Sequence, residues 1–152
     1  MLLLGKNYDS KIFSKKGKQK YPRNKFFSYS GVDRDDKNFN YKDFRNSNSI
    51  HSSFKRCKFF GALFKKSKSK FCSFSGAVFT GITFKNCNFK GSRFLGAVFD
   101  NCIFEDCNFQ KCKFKNAQFI NTYIKNSNFK GVSDLYLDLE KYDISKLNIV
   151  DD

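Results

Sequence analysis

A chain of 152 residues with 40% hydrophobic content suffices for one ordinary domain and is too apolar for outright disorder. The formal net charge of +15 favours anionic partners, and no run of residues approaches the length of a membrane-spanning segment. Phe occurs 21 times against no Trp, one Met and one Pro, so one bulky side chain serves one geometric task repeatedly, the mark of an internal repeat.

The opening MLLLGKNYDS has only three leucines before Gly5 and Lys6, short of a signal peptide's apolar core. The expected setting is the cytoplasm, with six reduced cysteines and no disulfide framework. Residues 1–36 show no period. Their nine basic and four acidic residues, with Lys15, Lys16, Lys18, Lys20 and Arg23 close together, mark a basic N-terminal arm or cap.

From Phe39 the chain falls into units of five. Large apolar residues recur at one place, here the centre, through Phe44, Phe54, Phe59, Phe64, Phe74, Phe79, Phe84, Phe89, Phe94, Phe99, Phe104, Phe109, Phe114, Phe119, Ile124 and Phe129, interrupted by Ser49 and Ser69. Two residues before each centre the side chain is small, and Cys57, Cys72, Cys87, Cys102, Cys107 and Cys112 all fall there. Between residues 47 and 131 every charged side chain lies at the other three places, so each unit has two inward positions and three outward ones. Lys37 and Lys42 sit at inward small places, where an unpaired ammonium is costly; the first two units are expected to fray or to let these lysines out at the open end.

A period of five fits neither a helix at 3.6 nor a strand at 2, so the chain must bend once per unit. Two residues after the centre stand Gly61, Gly76, Gly81, Gly91, Gly96 and Gly131, or Asn46, Asn86, Asn101, Asn116, Asn121 and Asn126. That composition suits the positive φ at the third position of a type II turn. Each unit is a short extended piece ending in a corner.

The units CNFKG at Cys87, CNFQK at Cys107 and SNFKG at Ser127 resemble the pentapeptide-repeat family, and the resemblance spans roughly residues 37–151. It implies an all-β fold: a right-handed quadrilateral parallel β-helix of about 5 to 6 coils, four units to a coil, with coils about 4.8 Å apart. Residues 37–131 would form the helix. The expected core is a stack of Phe59, Phe64, Phe74, Phe79, Phe84, Phe89, Phe94, Phe99, Phe104, Phe109, Phe114, Phe119 and Phe129. Residues 132–152 would form a capping coil, in which Val132, Leu137, Leu139, Tyr142, Ile144, Leu147 and Ile149 either close the open end or pair with a second copy as a homodimer.

On this geometry Cys102, Cys107 and Cys112 occupy three successive sides of one coil as packing residues. Zinc sites favour tighter cysteine pairs, the only histidine, His51, points outward, and no cofactor is implied. Only Cys87 and Cys107, twenty residues apart, would be vertical neighbours within disulfide reach. At the centres lost to Ser49 and Ser69, Ile50 and Phe71 are expected to swing inward through a local bulge.

Sorted by side between residues 47 and 131, acids appear on the first side (Phe59, Phe79, Phe99, Phe119) and the second (Phe64, Phe84, Phe104) only. The third side shows Lys68, Lys70, Lys90, Lys111 and Lys130, and the fourth Lys55, Arg56, Arg93, Lys113 and Lys115. These two sides form a candidate surface for an anionic partner, although lysine columns also keep such a rod soluble. Opposite them Leu63, Val78, Val98, Ile103, Ile120 and Tyr123 form an apolar band suited to a protein partner. With no outward nucleophile beside a base and no cleft between carboxylates, the chain reads as no enzyme. It reads instead as a non-catalytic scaffold for a macromolecular partner, most simply a protein. Some family members imitate DNA to bind topoisomerases, which needs an acidic surface that these sides lack. The alternative is nonspecific binding of an anionic polymer such as nucleic acid along the lysine sides.

Overall fold

The computed structural model describes residues 31–134. Its strands are short: β1 (Lys58–Phe60), β2 (Phe64–Lys65), β3 (Val78–Thr80), β4 (Thr83–Lys85), β5 (Val98–Asp100), β6 (Ile103–Glu105), β7 (Gln118–Ile120) and β8 (Tyr123–Lys125). They pair in parallel as two sheets, β1-β3-β5-β7 on the first side and β2-β4-β6-β8 on the second. Register is twenty residues throughout, with Phe59 against Phe79, Phe79 against Phe99 and Phe84 against Phe104. The third and fourth sides are held by single bridges with the same offset, such as Asn88 to Asn108 and Arg93 to Lys113. The result is a four-sided parallel β-helix.

Corner chemistry explains why the sides differ. Every fifth residue from Gly31 to Gly131 has a left-handed backbone, with φ between 46° and 72°. After most third and fourth centres the corner is also closed by a hydrogen bond back to the centre carbonyl, as from Ala77 to Phe74 (3.0 Å), Ser92 to Phe89 (3.0 Å) and Ala97 to Phe94 (3.1 Å), and in the lowest described coil, where the first and second sides also hold by single bridges, the same bond follows Phe39 and Phe44 (both 3.2 Å). Those closed turns leave one residue per unit to bridge coils.

Each sheet is four strands deep, about three turns from first strand to last and slightly fewer than the five to six coils expected. The bridges carry the same register further, from Asp33 to Ser133, so the boundary set at residue 37 falls inside the coiled segment. The first two units do not fray. Phe39 and Phe44 are buried and bond to the coil above through Lys58 and Leu63, while Lys37 is exposed and Lys42 half-buried.

The interior is aromatic. Rings stack vertically, Phe59 on Phe79 at 4.7 Å, Phe79 on Phe99 at 4.9 Å and Phe84 on Phe104 at 4.7 Å, all within 9° of parallel. Around each coil they meet edge to face, as Phe79 and Phe84 do at 5.5 Å and 69°. Offset stacks and T-shaped contacts are the arrangements that ring quadrupoles favour, so one residue type satisfies both directions. Of the expected core rings all are buried except Phe119, which is partly buried.

Ser49 and Ser69 stay buried at their centres, and their amides keep register by bonding Lys68 and Asn88, each at 2.8 Å. No bulge forms there. Phe71 does not swing inward: it occupies a corner with φ of 55° and is 48% exposed. A left-handed corner aims its side chain away from the axis, so no rotamer brings the ring in.

Candidate interaction faces

The inward small residue does more than save space. At several units it also donates a hydrogen bond to the centre carbonyl of the previous coil, twenty-three residues back: Cys57 to Arg34 (3.0 Å), Cys102 to Phe79 (3.3 Å), Cys107 to Phe84 (3.3 Å) and Cys112 to Phe89 (2.9 Å). Ser92 to Ser69 (2.6 Å) and Thr122 to Phe99 (2.9 Å) use a hydroxyl for the same bond. Cys, Ser and Thr are thus equivalent here as small donors. Burial pushes the Cys72 thiol up to about 11 and the Cys102 and Cys112 thiols up to about 12. Burial also holds Cys107 well above its ordinary range, with Cys87 stacked directly beneath it. All six thiols are free and buried, so none is poised as a nucleophile. Among the described residues no group of His, Cys, Asp and Glu side chains could hold a metal ion.

The outer surface carries the groups that remain available. On the third side Lys68, Lys111 and Lys130 are exposed and Lys70 and Lys90 half-buried. Asn88 and Asn128 each accept, through Oδ1, the amide of the residue two ahead, Lys90 and Lys130, both at 3.0 Å. These Asx turns fix the backbone from which the lysines project. On the fourth side Lys55, Arg56, Arg93, Lys113 and Lys115 are all exposed.

Arg56, in the same set, is engaged by a carboxylate. Its Nε and Nη2 clasp the two carboxylate oxygens of Asp36 at 2.6 and 2.8 Å. That pair holds the Asp36 carboxyl below its ordinary range. Asp35 accepts from the Ser53 hydroxyl at 2.6 Å and the Lys55 amide at 2.8 Å. Asp33, Asp35 and Asp36 therefore offset the basic fourth side at its first coil, within residues 31–36, which belong to the coil and not to a separate arm. None of Lys68, Lys70, Lys90, Arg93, Lys111, Lys113, Lys115 and Lys130 forms an ion pair among the described residues, where the salt bridges are Arg45–Asp43, Arg56–Asp36 and Lys125–Glu105.

The apolar band runs over the first and second sides. Val78 and Ile120 are exposed, while Leu63, Val98, Ile103 and Tyr123 are half-buried. Phe60 extends the band at its lower end and packs edge-on against Tyr41 at 5.4 Å. In the suggested end cap, Val132 is partly buried against the core. Leu137, Leu139, Tyr142, Ile144, Leu147 and Ile149 lie outside the described residues. Asp134 has φ of 55°, three residues after the corner at Gly131.

One surface feature is not apparent from the sequence pattern alone. Phe71 lies 5.2 Å from the His51 ring and within 12° of parallel, on the corner between the third and fourth sides. The signal is the spacing: His51, Phe71 and Gly91 stand twenty apart, and a methyl at 91 would fall 2.5 Å from Phe71 Cδ1.

No curated protein matches the chain in sequence. Among solved structures it is similar to QnrB1, a plasmid-mediated fluoroquinolone resistance protein, with 22% identity over 69% of this chain and 54% of that one and a TM-score of 0.44. It is also similar to a pentapeptide repeat protein from the Arabidopsis thaliana thylakoid lumen, with 21% identity, coverage of 82% and 80%, and a TM-score of 0.44. A third is HetL, a pentapeptide repeat protein involved in heterocyst differentiation regulation from the cyanobacterium Nostoc sp. strain PCC 7120, with 12% identity, coverage of 87% and 53%, and a TM-score of 0.38. The chain spans about half the length of the first of these. The model of the family described as pentapeptide repeats, in nine copies, matches residues 54–122 and 94–136, together more than half of the sequence, and with the twenty-residue coil this makes the chain a member of the pentapeptide-repeat family.

Proposed function

We propose that the chain is a non-catalytic scaffold that binds a macromolecular partner through its outer faces. The observation that carries this reading is the filled interior: stacked Phe rings occupy the axis and the six thiols are free and buried. Polar groups free to act are displayed only on the outside, in columns fixed by the coil register. The apolar band at Val78, Val98, Ile103 and Ile120 is the surface best suited to a protein partner. Replacing Val98 and Ile103 with Glu tests it. A protein partner retained by the unmodified chain and released by this variant supports the band, and undiminished retention removes it from the account.

A second reading is favoured by the lysine columns, which lack acidic neighbours on the third side among the described residues. There the chain would bind an anionic polymer nonspecifically through phosphate contacts. Replacing Lys111, Lys113 and Lys115 with Glu should weaken binding to a nucleic acid and flatten its salt dependence by about one unit of slope for each phosphate no longer neutralised. Equal binding by this variant and the unmodified chain would exclude those columns.

A further inference from the structure

The corner between the third and fourth sides sets an aromatic pair within the lysine field. His51, Phe71, Gly91, Lys111 and Gly131 stand twenty residues apart along it, each with a left-handed backbone. Phe71 is the most exposed of the large apolar side chains among the described residues, and its ring rests against the His51 imidazole and the bare backbone at Gly91. A bulky residue in that backbone conformation is disfavoured, and this one contributes nothing to the core stack, so its place needs another account. Lys70 precedes Phe71 in the chain, Lys90 precedes Gly91 one coil on, Lys68 lies on the same unit, and Lys111 continues the corner.

We infer that this corner binds single-stranded nucleic acid, with a base packed against the His51–Phe71 pair and neighbouring phosphates held by Lys68, Lys70, Lys90 and Lys111. Aromatic faces combined with a basic track are how unpaired strands are held without sequence readout. In a duplex the base faces are already stacked on each other, and this blunt corner has no element narrow enough to enter a groove. An acidic protein surface could satisfy the lysines but would give the aromatic pair no role. The inference rests on the reading that the outer lysine columns bind an anionic partner.

The test measures fluorescence anisotropy of the full chain with a labelled oligothymidylate of about 20 nucleotides, a duplex of equal length, and poly-glutamate, between about 50 and 200 mM salt. Phe71→Asn removes the ring and keeps a residue tolerant of the left-handed backbone; a thermal melt checks that the coil survives. The single strand should bind more tightly than the duplex. Phe71→Asn should weaken it about 5- to 100-fold without altering the salt slope, whereas Lys90→Glu with Lys111→Glu lowers both affinity and slope. Equal binding by Phe71→Asn and the unmodified chain, preference for the duplex, or poly-glutamate held as tightly as the oligonucleotide would overturn the inference. If Phe71→Asn is silent while the lysine variant still binds more weakly, only the stacking site falls. If no polyanion is retained at the lowest salt, the lysine reading falls with it.

Discussion

Removing one ring from the middle of the stack tests the packing account quantitatively. Phe99 is fully buried, stacks on Phe79 at 4.9 Å and on Phe119 at 5.0 Å, and meets Phe94 and Phe104 at 5.5 and 5.1 Å. Phe99→Ala should cost about 3 to 5 kcal/mol, because the transfer term is joined by a cavity that neighbouring coils cannot close. Phe119, next in the same column, is only partly buried. With less of its ring withdrawn from water, Phe119→Ala should be cheaper by about 1 kcal/mol. Urea unfolding followed by far-UV circular dichroism reads both, provided the slopes match the unmodified chain. A cost below about 1 kcal/mol for Phe99→Ala, or equal costs at the two positions, would refute a filled stack held by nearest-neighbour packing.

Other consequences follow from the same geometry. Cys112→Ser retains the bond to the Phe89 carbonyl and should unfold within about 1 kcal/mol of the unmodified chain, whereas Cys112→Val overpacks the position and should cost about 1 to 3 kcal/mol in the same titration. Because burial raises Cys102 and Cys112 from 9.0 to about 12, their protonated form is favoured by folding. That contribution is complete below pH 9.0 and is lost as pH rises towards 12, and the double variant Cys102→Ser with Cys112→Ser should show a shallower alkaline decline in unfolding free energy. Gly91→Ala meets both a φ of 72° and the Phe71 ring, so it should cost about 1 to 2 kcal/mol and displace Phe71 from His51, visible as a shift of the His51 ring protons in NMR spectra. Lys66→Asn, at a corner with φ of 55°, should stabilise by about 0.5 kcal/mol in thermal unfolding.

The coil was legible because Phe recurs at a period that no helix or flat strand allows, and because Gly and Asn mark many of the corners. The left-handed corners at Tyr41, His51, Arg56, Lys66, Phe71 and Lys111 were not legible from residue type, since the register of the stack imposes that backbone whatever the side chain. Phe71 defies expectation for that reason: hydrophobicity suggests burial, while its place in the five-residue unit puts it at a corner. The Arg56–Asp36 clasp is hidden in the sequence because Arg34, the centre of the lowest described unit, is not apolar, so the period is silent where the coil is already formed. The donor role of the cysteines needs a carbonyl from twenty-three residues earlier, a contact that exists only once the chain is coiled.

The filled axis, the lysine columns and the aromatic corner all depend on coils stacking at an offset of twenty residues, and a cysteine cross-link measures that offset directly. Ser73 and Arg93 bridge adjacent coils on the fourth side and project outward. Strand spacing of about 4.8 Å puts such a pair within disulfide reach. Ser73→Cys with Arg93→Cys should therefore oxidise fully under mild conditions, while Ser73→Cys with Asn88→Cys, on neighbouring sides, should not. Rapid closure of the second pair, or none of the first in a folded chain, would contradict the stacking.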